Sequence, residues 1–231
     1  MNRRIAVIAV AVLALVGFAA AGGLYGRFAT DRQDGVSTQE PSTLVRPHSP
    51  VIGPADAPVT IVEFFDPSCE ACRAFYPTVK QILAAHPEDV RLVLRYTPFH
   101  QGSEEAVRIL ETARMQGIFE PVLEAVLASQ PEWHDDPRIQ AAWAAAEAAG
   151  LDVEKAREAM LAPQITATLN QDVADVEAVS VTGTPTFFVN GKRLQTLGTE
   201  QLYELVRAEI EAARQLDDSS PEVGEEDRGE S

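Results

Sequence analysis

Two residues separate Cys69 from Cys72, and these are the only cysteines in the 231 residues of the chain. Thiols at this spacing can close a small disulfide ring with each other. Alternatively, one thiol can attack a mixed disulfide that has formed on the other. The residue types and their spacing therefore predict thiol–disulfide exchange.

A structural disulfide or a zinc site would fit the cysteine pair less well. A purely structural disulfide across so small a loop would constrain the unfolded chain very little. A zinc site would need two more ligands, and the histidines do not occur in a paired spacing; they are His48, His86, His100 and His134. We therefore expect neither a metal nor another cofactor.

The sequence around the cysteines predicts a strand before them and a helix after them. The β-branched run 59–62 and the following Glu63, Phe64 and Phe65 are typical of a buried strand. Apolar residues then recur at helical spacing, at Phe75, Val79, Ile82 and Leu83. The first turn of a helix has unpaired N–H groups and a partial positive charge, which favour a thiolate on its more N-terminal cysteine. Cys69 is therefore the expected nucleophile and Cys72 the expected resolving thiol.

The rest of the chain supplies further elements of a mixed α/β domain. Residues 90–96 predict a second parallel core strand, and Asn190-Gly191 predicts a hairpin turn between two short strands. Residues 200–215 predict a closing amphipathic helix. The long connection between 96 and 181 has helical patterns throughout, including a helix with Ser103 as its cap and another that opens at 136.

These features resemble the thioredoxin-fold thiol–disulfide oxidoreductases, and among them the DsbA-like branch of secreted bacterial proteins. Residues 56–65 resemble the first core strand of that branch, residues 181–187 resemble its cis-proline loop, and Pro77 matches the proline in its active-site helix. The resemblance implies an α/β thioredoxin fold in residues 51–216. It also implies an all-helical insertion, about 103–178, between the second core strand and the cis-proline loop.

The resemblance implies roles for residues near the cysteines. Glu63 would lie under the active-site helix and accept the proton of the resolving thiol, whereas without the resemblance it could be a strand-end carboxylate in solvent. Thr184 and Pro185 would form the substrate-binding loop, with a cis bond between them. His100 could approach the site from the end of the second strand, although an exposed histidine at a helix entry is the simpler interpretation.

The dipeptide between the cysteines departs from the strongly oxidising members, which have proline and histidine there. This chain has Glu70 and Ala71. A carboxylate next to Cys69 disfavours its thiolate, which makes the protein a weaker oxidant. We therefore assign a redox-tuning role to these two residues. The direction of exchange, oxidase or reductase and isomerase, stays open.

The N-terminus predicts export. Arg3 and Arg4 precede an uncharged apolar segment, so residues 1–26 are either a signal anchor or a signal peptide with a cleavage site near 19–21. We favour the anchor because the segment continues apolar beyond that site. Residues 27–50 predict a flexible linker. The domain would then lie outside the cytoplasm, in the periplasm or at the outer face of the membrane, where disulfides persist.

The formal net charge of −16 excludes one class of partner. An acidic protein repels phosphate backbones, so we expect no nucleic-acid binding. Residues 217–231 contain seven acidic residues and one basic residue and predict a disordered tail. No dimerisation segment stands out in 27–50, so we expect a monomer.

Two functions fit these features. The first is an extracytoplasmic thiol–disulfide oxidoreductase that acts on thiols or disulfides of exported proteins and exchanges electrons with a membrane redox partner. The second is a redox-inactive binding or chaperone module of thioredoxin fold, tethered near the membrane. Replacing Cys69 separates the two, because only the first function needs its thiol.

Overall fold

The computed structural model describes residues 41–134 and 136–219. The predicted signal segment 1–26, most of the predicted linker, 27–40, and residues 220–231 of the predicted tail lie outside the described residues. Within the described ranges, no helix is both long and apolar enough to cross a membrane.

The strands of the described chain form a five-stranded sheet in the order β1-β3-β2-β4-β5. They are β1 (Val51–Ile52), β2 (Val59–Phe65), β3 (Val90–Tyr96), β4 (Thr186–Val189) and β5 (Lys192–Arg193). The helices are α1 (Pro41–Leu44), α2 (Glu70–Ala85), α3 (Ser103–Met115), α4 (Phe119–Ala128), a 3₁₀ turn (Gln130–Glu132), α5 (Gln140–Ala148), α6 (Val153–Ala159), α7 (Pro163–Ala178) and α8 (Thr199–Ser219).

Strand β2 lies at the centre of this sheet, parallel to β3 and antiparallel to β4. Both of its faces are covered, which explains why its sequence is almost continuously apolar. Successive side chains of a strand point to opposite faces. Ile61, Glu63 and Phe65 therefore share one face of the sheet, and Val62 and Phe64 share the other.

Each face of the sheet packs against helices. On the face of Ile61, the core contains buried side chains of α2, α8 and the helical insertion. On the opposite face, Val62 and Phe64 pack with Val176 of α7 and with Leu44, which precedes the first strand. The result is a three-layer α/β arrangement with β2 in the middle.

The thioredoxin fold with an all-helical insertion is confirmed. Helices α3 to α7 fill the connection between β3 and the loop before β4 and extend from 103 to 178. The predicted hairpin joins β4 and β5, where Asn190 and Gly191 have φ values of 47° and 81°. A two-residue type I′ hairpin turn requires positive φ at both of its central residues.

Some local predictions in the insertion were wrong. Ser103 was expected to cap α3, but Gly102 holds the cap position with φ of 80°. Ser103 is instead the first residue of the helix, and its hydroxyl donates to Asp66. Helix α5 begins at Gln140, later than the predicted start at 136.

The predicted linker is also wrong for its last residues. The segment 43–50 packs against the domain, because Leu44 is buried in the second core and Arg46 pairs with Asp175 of α7. At the other end, α8 continues to Ser219. The first residues of the predicted disordered tail, Asp217 and Asp218, therefore belong to a helix.

Candidate active site

Cys69 and Cys72 stand at the junction of β2 and α2. Cys69 is the cap residue of α2, with extended backbone angles, and Cys72 lies in the first turn. Both thiols are free. Cys69 is 7% exposed and Cys72 is fully buried, so only the first thiol is within reach of a partner.

The loop before β4 brings Thr184 and Pro185 to the same place. The Thr184–Pro185 peptide bond is cis, and Cys69 Sγ lies 3.2 Å from the carbonyl oxygen of Thr184, to which it donates. These residues are 115 positions apart in the chain. The fold therefore places the predicted substrate-binding loop directly against the predicted nucleophile.

The two thiols have opposite acidities. A hydrogen bond from the Cys72 thiol lowers the pKa of Cys69 to about 5, against the effect of burial, and Thr184 and the backbone N–H groups of Cys72 and Ala71 add to the lowering. Burial raises the pKa of Cys72 above its ordinary value, and its interaction with Cys69 adds to this. At neutral pH the site therefore holds a thiolate on Cys69 and a thiol on Cys72.

Glu63 is buried beneath this pair. Its side chain is 1% exposed, and neither carboxylate oxygen has a hydrogen-bond partner among the described residues. Burial, and to a lesser extent the charge of Cys69, raise the pKa of Glu63 to about 8. The Glu63 charge also contributes to the raised pKa of Cys72. The alternative of a strand-end carboxylate in solvent does not hold.

Asp66 organises the loop beside the cysteines, and sequence reasoning missed it. Its buried carboxylate accepts hydrogen bonds from the backbone N–H groups of Ser68 and Phe99, at 2.9 and 2.8 Å. Its Oδ2 lies 2.6 Å from Nδ1 of His100. The only local signal is an aspartate before Pro67, which is typical of a turn in which the side chain bonds two residues ahead.

His100 combines features of both predicted roles. It precedes α3 and its side chain is 50% exposed, as expected for a histidine at a helix entry. It also approaches the site, because it pairs with Asp66. This hydrogen bond raises the pKa of His100, burial opposes the rise, and the charge of Cys69 adds to it.

Gln130, in the 3₁₀ turn of the insertion, is the second residue that the sequence did not reveal. It is fully buried, and its amide nitrogen lies within hydrogen-bond distance of the carbonyl oxygens of Pro67 and Cys69. No periodicity or motif marks it, since its partners lie 57 to 63 residues away in the chain.

The dipeptide between the cysteines lies in the first turn of α2, where the backbone N–H of Ala71 contributes to the lowered pKa of Cys69. Glu70 is exposed in the first turn of α2, and Ala71 is half-buried against the core. Their redox-tuning role stays a prediction. Elsewhere, the described residues contain no cluster of three or more His, Cys, Asp and Glu side chains that could hold a metal ion.

Comparisons with known proteins agree with this geometry. A solved thioredoxin-like oxidoreductase from Silicibacter pomeroyi is 31% identical, with a TM-score of 0.66 over 76% of this chain and 98% of that one. The structure of alpha-DsbA1 from Wolbachia pipientis has a TM-score of 0.67 over 75% of this chain and 96% of that one. At 15% identity, the second likeness concerns the fold alone.

Among curated proteins, the Na⁺/H⁺ antiporter NhaA 3 of Salinispora tropica is 36% identical over 146 residues, which are 62% of this chain and 22% of the antiporter. The chain thus spans less than a third of the length of that relative. The family model described as thioredoxin matches residues 46–208, a range that contains both cysteines and the cis-proline loop. Because this match covers more than half of the chain, the chain belongs to the thioredoxin family.

Proposed function

We propose that this protein is an extracytoplasmic thiol–disulfide oxidoreductase that exchanges disulfides with exported proteins. The observation that carries the proposal is the placement of the two thiols: Cys69 caps α2 beside the Thr184 carbonyl, and Cys72 is fully buried behind it. This placement lowers the pKa of Cys69 and raises that of Cys72. A structural pair of cysteines has no need of this difference, whereas a nucleophile and a resolving thiol require it.

The exchange proceeds in two displacements. The Cys69 thiolate attacks one sulfur of a substrate disulfide, forms a mixed disulfide, and releases the other substrate sulfur as a thiolate. Cys72 then loses its proton and attacks Cys69 Sγ, so that the Cys69–Cys72 disulfide forms and the second substrate thiolate leaves. Two electrons pass from the protein to the substrate, and the reverse sequence oxidises a substrate dithiol.

Glu63 is the proposed acceptor of the Cys72 proton. The Cys72 thiol is buried, so water does not reach it freely, and a carboxylate beneath it can take the proton as the second displacement begins. With a pKa of about 8, Glu63 is mostly protonated at neutral pH while Cys69 is a thiolate, whose charge contributes to the raised value. The mixed disulfide removes that charge. Glu63 then ionises more readily and can accept the proton of Cys72. A carboxyl group of ordinary pKa would be a weaker base.

Substrate binding is assigned to Thr184 and Pro185. While Cys69 is protonated, the Thr184 carbonyl accepts a hydrogen bond from its thiol. The carbonyl becomes available to a substrate backbone once Cys69 has ionised or reacted. The N-terminal segment 1–26 supports an extracytoplasmic location and a membrane anchor. A redox partner in that membrane would restore the cysteine pair after each cycle.

The experiment that tests the proposal is trapping with Cys72→Ala. Without the resolving thiol, the substrate cannot be displaced from its mixed disulfide with Cys69. Exported proteins should therefore accumulate as covalent adducts that dithiothreitol reduces. The matched control is the double variant Cys69→Ser with Cys72→Ala, which should form none. Absence of adducts with Cys72→Ala in export-competent cells would overturn the proposal.

The direction of exchange has its own test, because Glu70 stands where oxidising members have proline. We expect a reduction potential more negative than about −120 mV, the value of the strongest oxidants. Glu70→His should make the protein more oxidising by on the order of tens of millivolts, since it removes a negative neighbour of the thiolate. Equilibration with glutathione buffers measures both values. A potential near −120 mV that Glu70→His leaves unchanged would contradict this assignment.

A second function, a redox-inactive binding module near the membrane, is favoured by one observation. The curated relatives are named as membrane antiporters, and the region matched is only part of each. A thioredoxin-like domain that accompanies a transporter could serve to bind it. This function predicts that Cys69→Ser behaves as wild type in cells, whereas the oxidoreductase predicts loss of function with the same variant.

A further inference from the structure

We propose that Gln130 is a positioning residue through which the helical insertion holds Cys69 at the start of α2. The proposal deepens the proposed function and rests on it for its catalytic meaning. Its structural content is independent of any substrate, because it concerns the loop that carries the thiol.

The contacts of Gln130 converge on that loop. Its Nε2 lies 2.8 Å from the carbonyl oxygen of Pro67 and 2.9 Å from that of Cys69. Its Oε1 lies 2.9 Å from Nε of Arg73, one turn into α2. One buried amide thus uses both of its donor hydrogens and its acceptor on the nucleophile and on one residue on either side of it.

These bonds act on the backbone that determines where the thiol lies. The Cys69 carbonyl also accepts the first hydrogen bond of α2, from the N–H of Arg73 at 3.2 Å. The Cys69 N–H donates to the Asp66 carbonyl at 3.0 Å. Gln130 adds the restraint from the side of the insertion, so the loop is held between the sheet and the insertion.

Few side chains could replace this amide. A methionine of similar shape would remove the donor to the buried Pro67 carbonyl and would leave the Cys69 carbonyl with only the N–H of Arg73. Loss of a donor to a buried carbonyl is costly. An ionised glutamate could accept from Arg73 but could not donate to either carbonyl. The loop would then relax, and the thiol would move relative to the N–H groups of Ala71 and Cys72 that stabilise its thiolate.

The test compares Gln130→Met with wild type in the pH dependence of Cys69 alkylation by iodoacetamide. We expect the midpoint of the Gln130→Met profile to rise by about half to one pH unit, because the thiolate loses stabilisation. Trp133→Phe is the matched control. It removes a hydrogen bond inside the insertion, from Nε1 to the Val126 carbonyl, and should lower the melting temperature without moving the midpoint.

An alkylation midpoint that Gln130→Met leaves unchanged would overturn the proposal. If Gln130→Met lowers the melting temperature as Trp133→Phe does and leaves the alkylation midpoint unchanged, Gln130 is only a packing residue and the proposal is wrong. Arg73→Lys serves if Gln130→Met does not fold, since it keeps the positive charge and removes the Nε donor. It should raise the midpoint by a smaller amount, and an unchanged midpoint would contradict the proposal.

Alkylation needs no protein substrate, so this test is separate from trapping. A shifted midpoint together with no adducts on Cys72→Ala would leave the positioning role intact and overturn the proposed function.

Discussion

At Cys69 the environment, rather than the residue type, decides which thiol reacts. The two residues are of the same type, but one is the cap residue at the helix start, where the backbone N–H groups of Ala71 and Cys72 lower its pKa. The other is sealed in the core. Stabilisation of a thiolate in the dithiol form also makes a protein more oxidising. The same contacts therefore influence both the reactivity and the reduction potential.

The first prediction concerns the acidity of Cys69. With a pKa of about 5, the thiolate predominates above that pH and disappears below it. The rate of alkylation by iodoacetamide should therefore rise between roughly pH 4 and 6 and remain level above that, in contrast to the rise near pH 8.5 of a free cysteine. Cys72→Ala should shift the midpoint upward, because the largest cause of the lowering is the Cys72 hydrogen bond. A midpoint near 8.5 in wild type would contradict the assigned nucleophile.

The second prediction concerns the stability cost of Glu63. Its pKa rises from 4.5 to about 8 on folding, so between these pH values the folded protein binds more protons than the unfolded chain. Stability must therefore fall as pH rises through this window. Glu63→Gln should lack this dependence. The variant should be more stable than wild type by a few kcal/mol at pH 8 to 9, with the difference shrinking toward pH 4.5.

Urea unfolding of the two proteins at pH 5 and pH 8.5 measures this difference. Asp89→Asn is a control, because Asp89 is a carboxylate at the surface in an ion pair with Arg214; it should change stability little at either pH. Equal stabilities of wild type and Glu63→Gln at pH 8.5 would show that Glu63 is not buried in its charged form.

Among individual residues, the sequence predicted those whose role follows from their neighbours along the chain. Spacing placed Cys72 one turn after Cys69, and the alternation along β2 put Glu63 on the inward face. Asp66 and Gln130 were missed because their importance comes from partners far along the chain. A buried glutamine with donors to two carbonyls has the same local pattern as one in solvent.

At the scale of elements, a buried charge cluster joins β3, α7 and the segment before β1. Arg95 is fully buried, and its guanidinium donates to Asp172 at 2.8 Å and to Asp175 at 2.5 Å. Arg46 forms a two-pronged bond to Asp175 at 2.6 and 2.7 Å. Asp172 also accepts from the N–H of Tyr96 at 2.8 Å. The cluster fixes α7 across the sheet.

The third prediction follows from this cluster. Arg95→Met would leave the carboxylates of Asp172 and Asp175 buried with less positive charge beside them, at a cost of roughly 3–5 kcal/mol in unfolding free energy. Arg91→Met is the matched control, since it makes the same change in the same strand at a partly exposed position and should cost less than about 1 kcal/mol. Chemical denaturation at pH 7 measures both. If Arg95→Met and Arg91→Met lower the unfolding free energy equally, the charge cluster contributes little to stability.

Acid should reduce the difference in unfolding free energy between wild type and Arg95→Met. Burial opposes ionisation of Asp175, but its bonds to Arg46 and Arg95 outweigh burial and lower its pKa. A carboxylate of lowered pKa stabilises the fold above its unfolded pKa, and this contribution is lost as pH falls through the folded value. The gap between wild type and Arg95→Met should therefore narrow below about pH 4.

The sequence predicted the elements better than their contacts. Strands β2 and β3 and the hairpin follow from apolar runs and from Asn190-Gly191, which act locally. The start of α5 was misplaced, because Ile139 has an unusual φ of 38° before the helix that no residue pattern announced. Arg95 was placed correctly in β3, yet the partners that permit its burial come from α7, about 80 residues later.

At the scale of the whole molecule, the described domain begins before its first strand. The sequence of residues 43–50 is polar and rich in proline, so by composition it belongs to a linker. In the fold these residues carry Leu44 into the second core, and the Pro50 carbonyl accepts a hydrogen bond from the N–H of Leu94. Composition alone predicted a linker wrongly here, because a single buried leucine and one arginine are enough to hold a short segment against the domain.

The last prediction tests that boundary. A chain of residues 41–219 and a chain of residues 51–219 differ by residues 41–50, which include the docked segment 43–50 with Leu44, Arg46 and His48. Loss of a buried leucine and of the bonds that Arg46 and His48 make to Asp175 and Asp172 should lower the unfolding free energy of the shorter chain by on the order of 3 kcal/mol. The matched control is removal of residues 217–219 from the other end, where Asp217 and Asp218 are exposed, and this should change stability little. Urea denaturation at pH 7 compares the three chains. If the chains that start at 41 and 51 are equally stable, residues 43–50 act as a free linker after all, and the tether of the domain is longer by that segment.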